Sequence, residues 1–175
     1  WLTVLAPAER AIPESFIRGL LSAGIQPLLH FCLPVGQPAP VETLRLLLGP
    51  YSRWGVRQVA FYQRPNARSS WPAAAWAMSD LVERFLDDFT PLAQAAQAQG
   101  LTVITPPLEP GGDYWDLSFL RTVLRSLQRR GGREMLESLA LGAYAWINER
   151  PLGWGAGGPE RWPGARPYFT PAGQQ

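Results

Sequence analysis

Five short apolar runs punctuate the chain, and between them apolar residues recur at the three- and four-residue spacing of amphipathic helices. The runs at 1–6 (WLTVLA), 25–33 (IQPLLHFCL), 56–62 (VRQVAFY), 101–106 (LTVITP) and 138–144 (SLALGAY) predict strands. Pro27 fits the second strand only near its start, because proline brings no N–H to a ladder. Helical spacing follows each of the first four runs. It is carried by Phe16, Ile17, Leu20 and Leu21, ending at Gly24, then by Val41, Leu44, Leu48 and Tyr51, ending at Gly55. It returns in Leu81, Val82, Phe85, Leu86, Phe89 and Leu92 within 71–100, and in Leu117, Leu120, Val123, Leu124 and Leu127, ending at Gly131-Gly132. Glycine suits these ends, where the backbone turns left-handed. Gly49-Pro50 predicts a kink or break in the second helix, and Pro91 a split or a kink in the third. Asp116 is placed to cap the fourth. A short helical segment around Glu134 leads into the last strand.

The predicted order is β-α-β-α-β-α-β-α-β, with strands apolar throughout rather than alternating. Such strands belong in a parallel sheet covered on both faces. Five units of this kind fit a small doubly wound domain or most of an eight-stranded (β/α) barrel. The first β-α turn, residues 6–13 (APAERAIP), lacks the glycine-rich phosphate cradle of a nucleotide-binding domain. The post-strand loops are long and rich in aromatics, which suits a barrel, whose chemistry gathers at the strand C-termini. The expected fold is therefore α/β of the TIM-barrel type with parallel strands, present as a partial barrel over residues 1–150. Residues 151–175, dominated by Gly, Pro, Trp and Arg, read as a long loop or truncated end of the same domain.

With 175 residues, 46% hydrophobic and 17% charged, the chain has the composition of one globular domain with a sizeable core. Net charge is +2, and all sixteen basic residues are arginine. They are scattered apart from Arg129-Arg130, so a nucleic-acid footprint is not supported. Cys32 is the only cysteine, which excludes an internal disulfide and a thiolate metal cluster. Its place within a strand predicts a buried, inert thiol. His30 is the only histidine, so a multi-histidine metal site is excluded, and no cofactor is called for. The chain opens on Trp1 without a basic n-region or a long apolar span. No membrane span is expected, the compartment is unassigned, and the chain reads as an excised piece of something longer.

The third run ends abruptly in a polar cluster, Tyr62-Gln63-Arg64-Pro65-Asn66, with Trp71 shortly after. This segment resembles the fourth strand of retaining glycoside hydrolases of the cellulase-like clan, TIM barrels that end that strand in Asn-Glu-Pro. Bacterial relatives of the β-xylosidase branch extend it to Asn-Glu-Pro-Asn, with a tryptophan following. Gln63 falls on the first asparagine, Arg64 on the glutamate, Pro65 on the proline and Asn66 on the second asparagine. Residues 108–115 (LEPGGDYW) resemble the loop after the fifth strand. Residues 139–151 (LALGAYAWINERP) resemble the sixth, with Gly142 and Ala143 in the slots of a histidine and a proline, and Tyr144 kept. On this register the chain covers about strands two to six of eight.

The resemblance implies hydrolysis of O-glycosyl bonds by two carboxyl groups about 5 Å apart, the fourth-strand glutamate serving as acid/base. Arg64 cannot do that work, because a guanidinium holds its proton throughout the working pH range and offers neither a usable base nor a useful acid. The matching nucleophile would lie beyond Gln175. The expected function is thus a catalytically impaired glycoside-hydrolase-like domain that binds carbohydrate. An active hydrolase using residues outside the chain and a structural or interaction module are the alternatives. Arg64 is read either as an anion-recognising group or as a drifted position paired with a nearby acid. Glu109 is a weak substitute acid or simply solvated, and Glu149 is a local partner for an arginine. His30, Gln63, Asn66, Trp71, Tyr144 and Trp146 are the candidate sugar-binding residues, the aromatics by stacking on pyranose faces. Trp115 and Trp154 lie in similar post-strand positions. His30 and each of the tryptophans also have a core-packing reading.

Overall fold

The computed structural model of the chain describes residues 1–144. Strands β1 (Leu2–Leu5), β2 (Pro27–Phe31), β3 (Gln58–Phe61) and β4 (Thr102–Ile104) form one parallel sheet in the order β1-β2-β3-β4. Helices α1 (Glu14–Ser22) and α2 (Val41–Arg53) make the first two crossovers, and the third holds a 3₁₀ turn, a short α3 (Ala73–Trp76) and a long α4 (Leu81–Gln97). After β4 come α5 (Asp116–Arg129) and α6 (Arg133–Ser138). The α/β class and the parallel pairing agree with the sequence pattern. The strand order never reverses along the described sheet.

Register divides the sheet into two faces. Val4, Leu29, Val59 and Val103 align across the four strands, and all join the core, the last three fully buried. Phe31 and Phe61, two residues further along their strands, face the same way and stack on each other at 5.8 Å between centroids. This face meets Ile17, Leu44, Leu48, Tyr51, Leu86 and Phe89 from the helices. The alternate row, Leu5, His30, Ala60 and Ile104, faces the other way. Its β1 member is 69% exposed, while His30 and Ala60 are buried toward the sheet's middle.

Local chemistry explains where the elements begin and end. Pro27 is the first residue of β2, where its missing donor costs no ladder bond. Gly24 and Gly55 carry φ of +73° and +103° just past α1 and α2, as a helix stop requires. The break expected at Gly49-Pro50 and the split expected at Pro91 do not occur. Both prolines lie inside unbroken helices. Each removes the donor for a carbonyl four residues back, and those residues, Leu46 and Asp87, are exposed, so water reaches the freed groups.

Three further expectations need correction. Asp116 is the first residue of α5 rather than its cap; Trp115 holds the cap position without a side-chain bond. An acid in the first turn still complements the helix dipole. Cys32 falls one residue past β2 and is exposed rather than buried, although partial burial pushes its thiol pKa up. The fifth run is not a strand over 138–144. Ser138 ends α6, its hydroxyl bonded back to the carbonyls of Glu134 and Met135. Only Ala140 of this run bridges β4: its N–H donates to the Val103 carbonyl at 2.9 Å, and its carbonyl accepts from the Thr105 N–H at 2.8 Å. Gly142 then presses against Thr105, where a Cβ would sit 2.4 Å from the backbone oxygen.

Candidate functional site

The C-terminal tip of β3 is built on two left-handed residues. Tyr62 (φ +63°) and Arg64 (φ +49°) are the only non-glycine residues with positive φ among those described. Such backbone is costly outside glycine and persists only where neighbours fix it. Here they do. The Tyr62 N–H donates to the Phe31 carbonyl at 2.9 Å, and the Tyr62 carbonyl accepts from His30 Nε2 at 2.6 Å. That bond puts the imidazole hydrogen on Nε2. The Arg64 N–H donates to the Pro107 carbonyl at 3.0 Å, and its carbonyl accepts from the Ala67 N–H at 2.9 Å. The tip is therefore clamped to β2 on one side and to the loop after β4 on the other.

Asn66 is the second clamp. Its side chain is fully buried, and Nδ2 donates to the carbonyls of Glu109 at 2.8 Å and Tyr114 at 3.0 Å. Oδ1 accepts from the Glu109 N–H at 2.8 Å, and the Asn66 carbonyl takes the Tyr114 N–H at 3.0 Å. The side-chain amide and the backbone carbonyl of the residue thus all bind the loop that brings Glu109 to the tip. Trp71 is likewise internal, 6% exposed, with Nε1 donating to the Pro65 carbonyl at 2.7 Å. Its ring packs so closely on Gly36 that a Cβ there would lie 2.8 Å from Cε3. Through these bonds His30, Asn66 and Trp71 help to hold the tip in shape.

Three candidate residues do reach the surface of the tip. Gln63 donates from Nε2 to the Tyr144 hydroxyl at 2.8 Å, joining β3 to the segment after α6. Arg64 is 44% exposed on its side chain and forms an ion pair with Glu109, Nη1 to Oε2, at 3.5 Å. No hydrogen bond accompanies it, and Oε2 is sealed from solvent without a hydrogen-bond partner. The structure thus brings together Arg64 and Glu109, the two residues weighed from sequence for an acid role. Trp146, Glu149 and Trp154 lie outside the described residues.

Two hollows flank this tip. A cavity of about 120 Å³ lies between α4, α5 and the Ala140 segment, walled by Phe85, Phe89, Phe119, Leu139, Leu141 and Tyr144 among others. Its lining is nearly all apolar, so it offers few hydrogen bonds to a sugar. A shallower pocket of about 230 Å³ lies over α4, between Gln37, Trp71, Arg84, Asp87 and Asp88. Burial, reinforced by the neighbouring Asp87, holds the Asp88 carboxyl above its ordinary pKa. Burial first, and Asp88 second, also push the Tyr62 phenol well up, and its hydroxyl finds no partner. The sequence pattern put Arg84, Asp87 and Asp88 on the polar side of a helix and carried no signal that a pocket forms there.

No group of three or more His, Cys, Asp or Glu among the described residues is arranged to hold a metal ion. No helix among them is long and apolar enough to cross a membrane. No family model and no curated protein matches the chain.

Proposed function

We propose that the chain is part of a (β/α)-barrel domain of glycoside-hydrolase type that has lost its acid/base and binds carbohydrate without cleaving it. The observation that carries this reading is the tip of β3. A strained, doubly clamped backbone presents the side chain of residue 64 beyond the C-terminal end of a parallel strand, where barrel enzymes keep their reacting groups. The guanidinium there can neither protonate a leaving oxygen nor activate water at neutral pH. The barrel reading draws support from the unreversed strand order and from Ala140, which extends the order past β4. Doubly wound sheets reverse their order at a switch point. The sugar-binding reading rests on Gln63, Arg64 and Tyr144, polar groups at the surface of that tip.

A second reading, a structural or interaction module, is favoured by one specific feature: Asn66 and Trp71 spend their polar atoms inside the protein. A panel of neutral and acidic oligosaccharides, with aryl glycosides assayed alongside, separates the two. Binding without release of the aryl group is the expected result. Steady turnover by the parent chain would remove the claim of lost catalysis, and binding of no glycan would leave the module reading standing.

A further inference from the structure

We propose that Arg64 anchors the carboxylate of an acidic sugar, a hexuronate residue, and that Glu109 is the internal carboxylate this ligand displaces. The inference rests on the carbohydrate-binding reading above and narrows it to a substrate class. Eight ion pairs join arginines to acids among the described residues. Seven of them include a hydrogen bond between the same two side chains. Arg64–Glu109 is the exception, at 3.5 Å and without one. Arg64 therefore keeps its fork of N–H donors unmatched by any acceptor among the described residues, at a position held by two backbone clamps.

The chemistry of that fork selects the ligand. Guanidinium and carboxylate are matched as parallel bidentate partners, and charge-assisted bonds are the strong ones. The long, partly exposed pair contributes little, and Glu109 Oε2, buried without a hydrogen bond, gains solvation when its side chain swings outward. Glu109 thus neutralises the guanidinium in the free protein and gives way to a carboxylate of better geometry. Nearby, Gln63 and the Tyr144 hydroxyl supply the neutral polar groups that a pyranose ring needs. A neutral sugar can take single hydrogen bonds from the guanidinium but not the parallel, charge-assisted pair.

The test is calorimetric titration of the full chain with trigalacturonate, with its neutral counterpart trigalactose, and with acetate, for the parent and for R64Q, R64K and E109Q. The parent should bind the acidic trisaccharide about tenfold tighter than the neutral one, the weight of a hydrogen bond to a charged group. R64Q should erase that preference and leave neutral binding in place, and R64K should recover only part of it. E109Q should tighten the acidic ligand about two- to fivefold by removing the internal competitor. Equal affinity for both trisaccharides would overturn the proposal while leaving carbohydrate binding intact; no binding of either would remove both readings. Acetate binding as tightly as the uronide would make the site one for small anions and refute the sugar assignment. If R64Q fails to give the parent's circular dichroism and melting transition, E109Q decides alone. Unchanged or weaker acidic binding by that variant rejects the displacement.

Discussion

Replacing Asn66 is the sharpest way to perturb the tip, because one buried amide serves three backbone groups of a loop more than forty residues away. N66A removes all three bonds and strands the Glu109 N–H, the Glu109 carbonyl and the Tyr114 carbonyl. At about 1 kcal/mol for each net bond, with a further contribution from the small void, the loss is about 3–4 kcal/mol. That is a large part of the roughly 5–15 kcal/mol that holds a typical domain together. N66D should be worse at neutral pH. One carboxylate oxygen still accepts from the Glu109 N–H, but the other faces two carbonyls with no hydrogen to give. Burial without a donor raises the folded pKa above the unfolded value near 3.9, so the penalty is full above the folded pKa and shrinks as pH falls through it. Urea unfolding followed by tryptophan fluorescence reads both effects. At about 2 kcal/mol per M, N66A should lower the midpoint by about 1.5–2 M. A loss under about 1 kcal/mol, or an N66D no less stable than N66A at pH 7, would refute the clamp.

Two more outcomes follow from the helix layer and the Trp71 contact. Glu83 links α4 to α5 through the Ser126 hydroxyl, Arg129 and Arg130, and these hold its carboxyl below the ordinary range, the Ser126 bond contributing most. A depressed folded pKa gives stability that is present above the unfolded value near 4.3 and lost as pH falls through the folded one. E83Q should therefore cost about 1 kcal/mol at pH 7, kept small because the carboxylate is over a third exposed. Its gap from the parent should close in acid below about pH 4; a gap independent of pH would show that the charge is not what matters. G36A combines a φ of +70° with a Cβ only 2.8 Å from Trp71 Cε3. It should destabilise by about 2 kcal/mol in a thermal melt, and an unchanged melt would disprove the tight Gly36–Trp71 packing.

The alternation of elements was legible because it depends on spacing alone. Continuous apolar runs gave four of the strands to within a few residues, and Gly24 and Gly55 marked two helix ends by a conformation few other residues accept. The fifth run misled because apolar content does not distinguish a strand from a helix end followed by one bridging residue, and Ser138 turns out to bond backward into α6. The prolines misled because their cost depends on whether the freed carbonyl faces water, which is a tertiary fact. At the site, sequence singled out a segment that proves to be strained and clamped, but not what its side chains bond to. Asn66 and Trp71 look like ligand-binding residues in one dimension; their partners are the Glu109 and Tyr114 backbone for the first and the Gly36 and Pro65 backbone for the second. Side-chain chemistry is visible in a sequence, and the partner that consumes it is not.

That distinction bears on Arg64 itself. The left-handed turn is fixed from both ends: by the Phe31 carbonyl and His30 at Tyr62, and by Pro107 and Ala67 at Arg64. None of these bonds involves the guanidinium. The backbone would present glutamate, glutamine or arginine at the same place, so the position can lose its acid without losing its geometry. The backbone fixes the place of the side chain, and the guanidinium there carries a fork of donors that matches a carboxylate. Whether that fork binds a sugar acid or merely rests on Glu109 is therefore decided by ligand titration and not by stability: both states keep the same backbone, and only one of them discriminates acidic from neutral glycans.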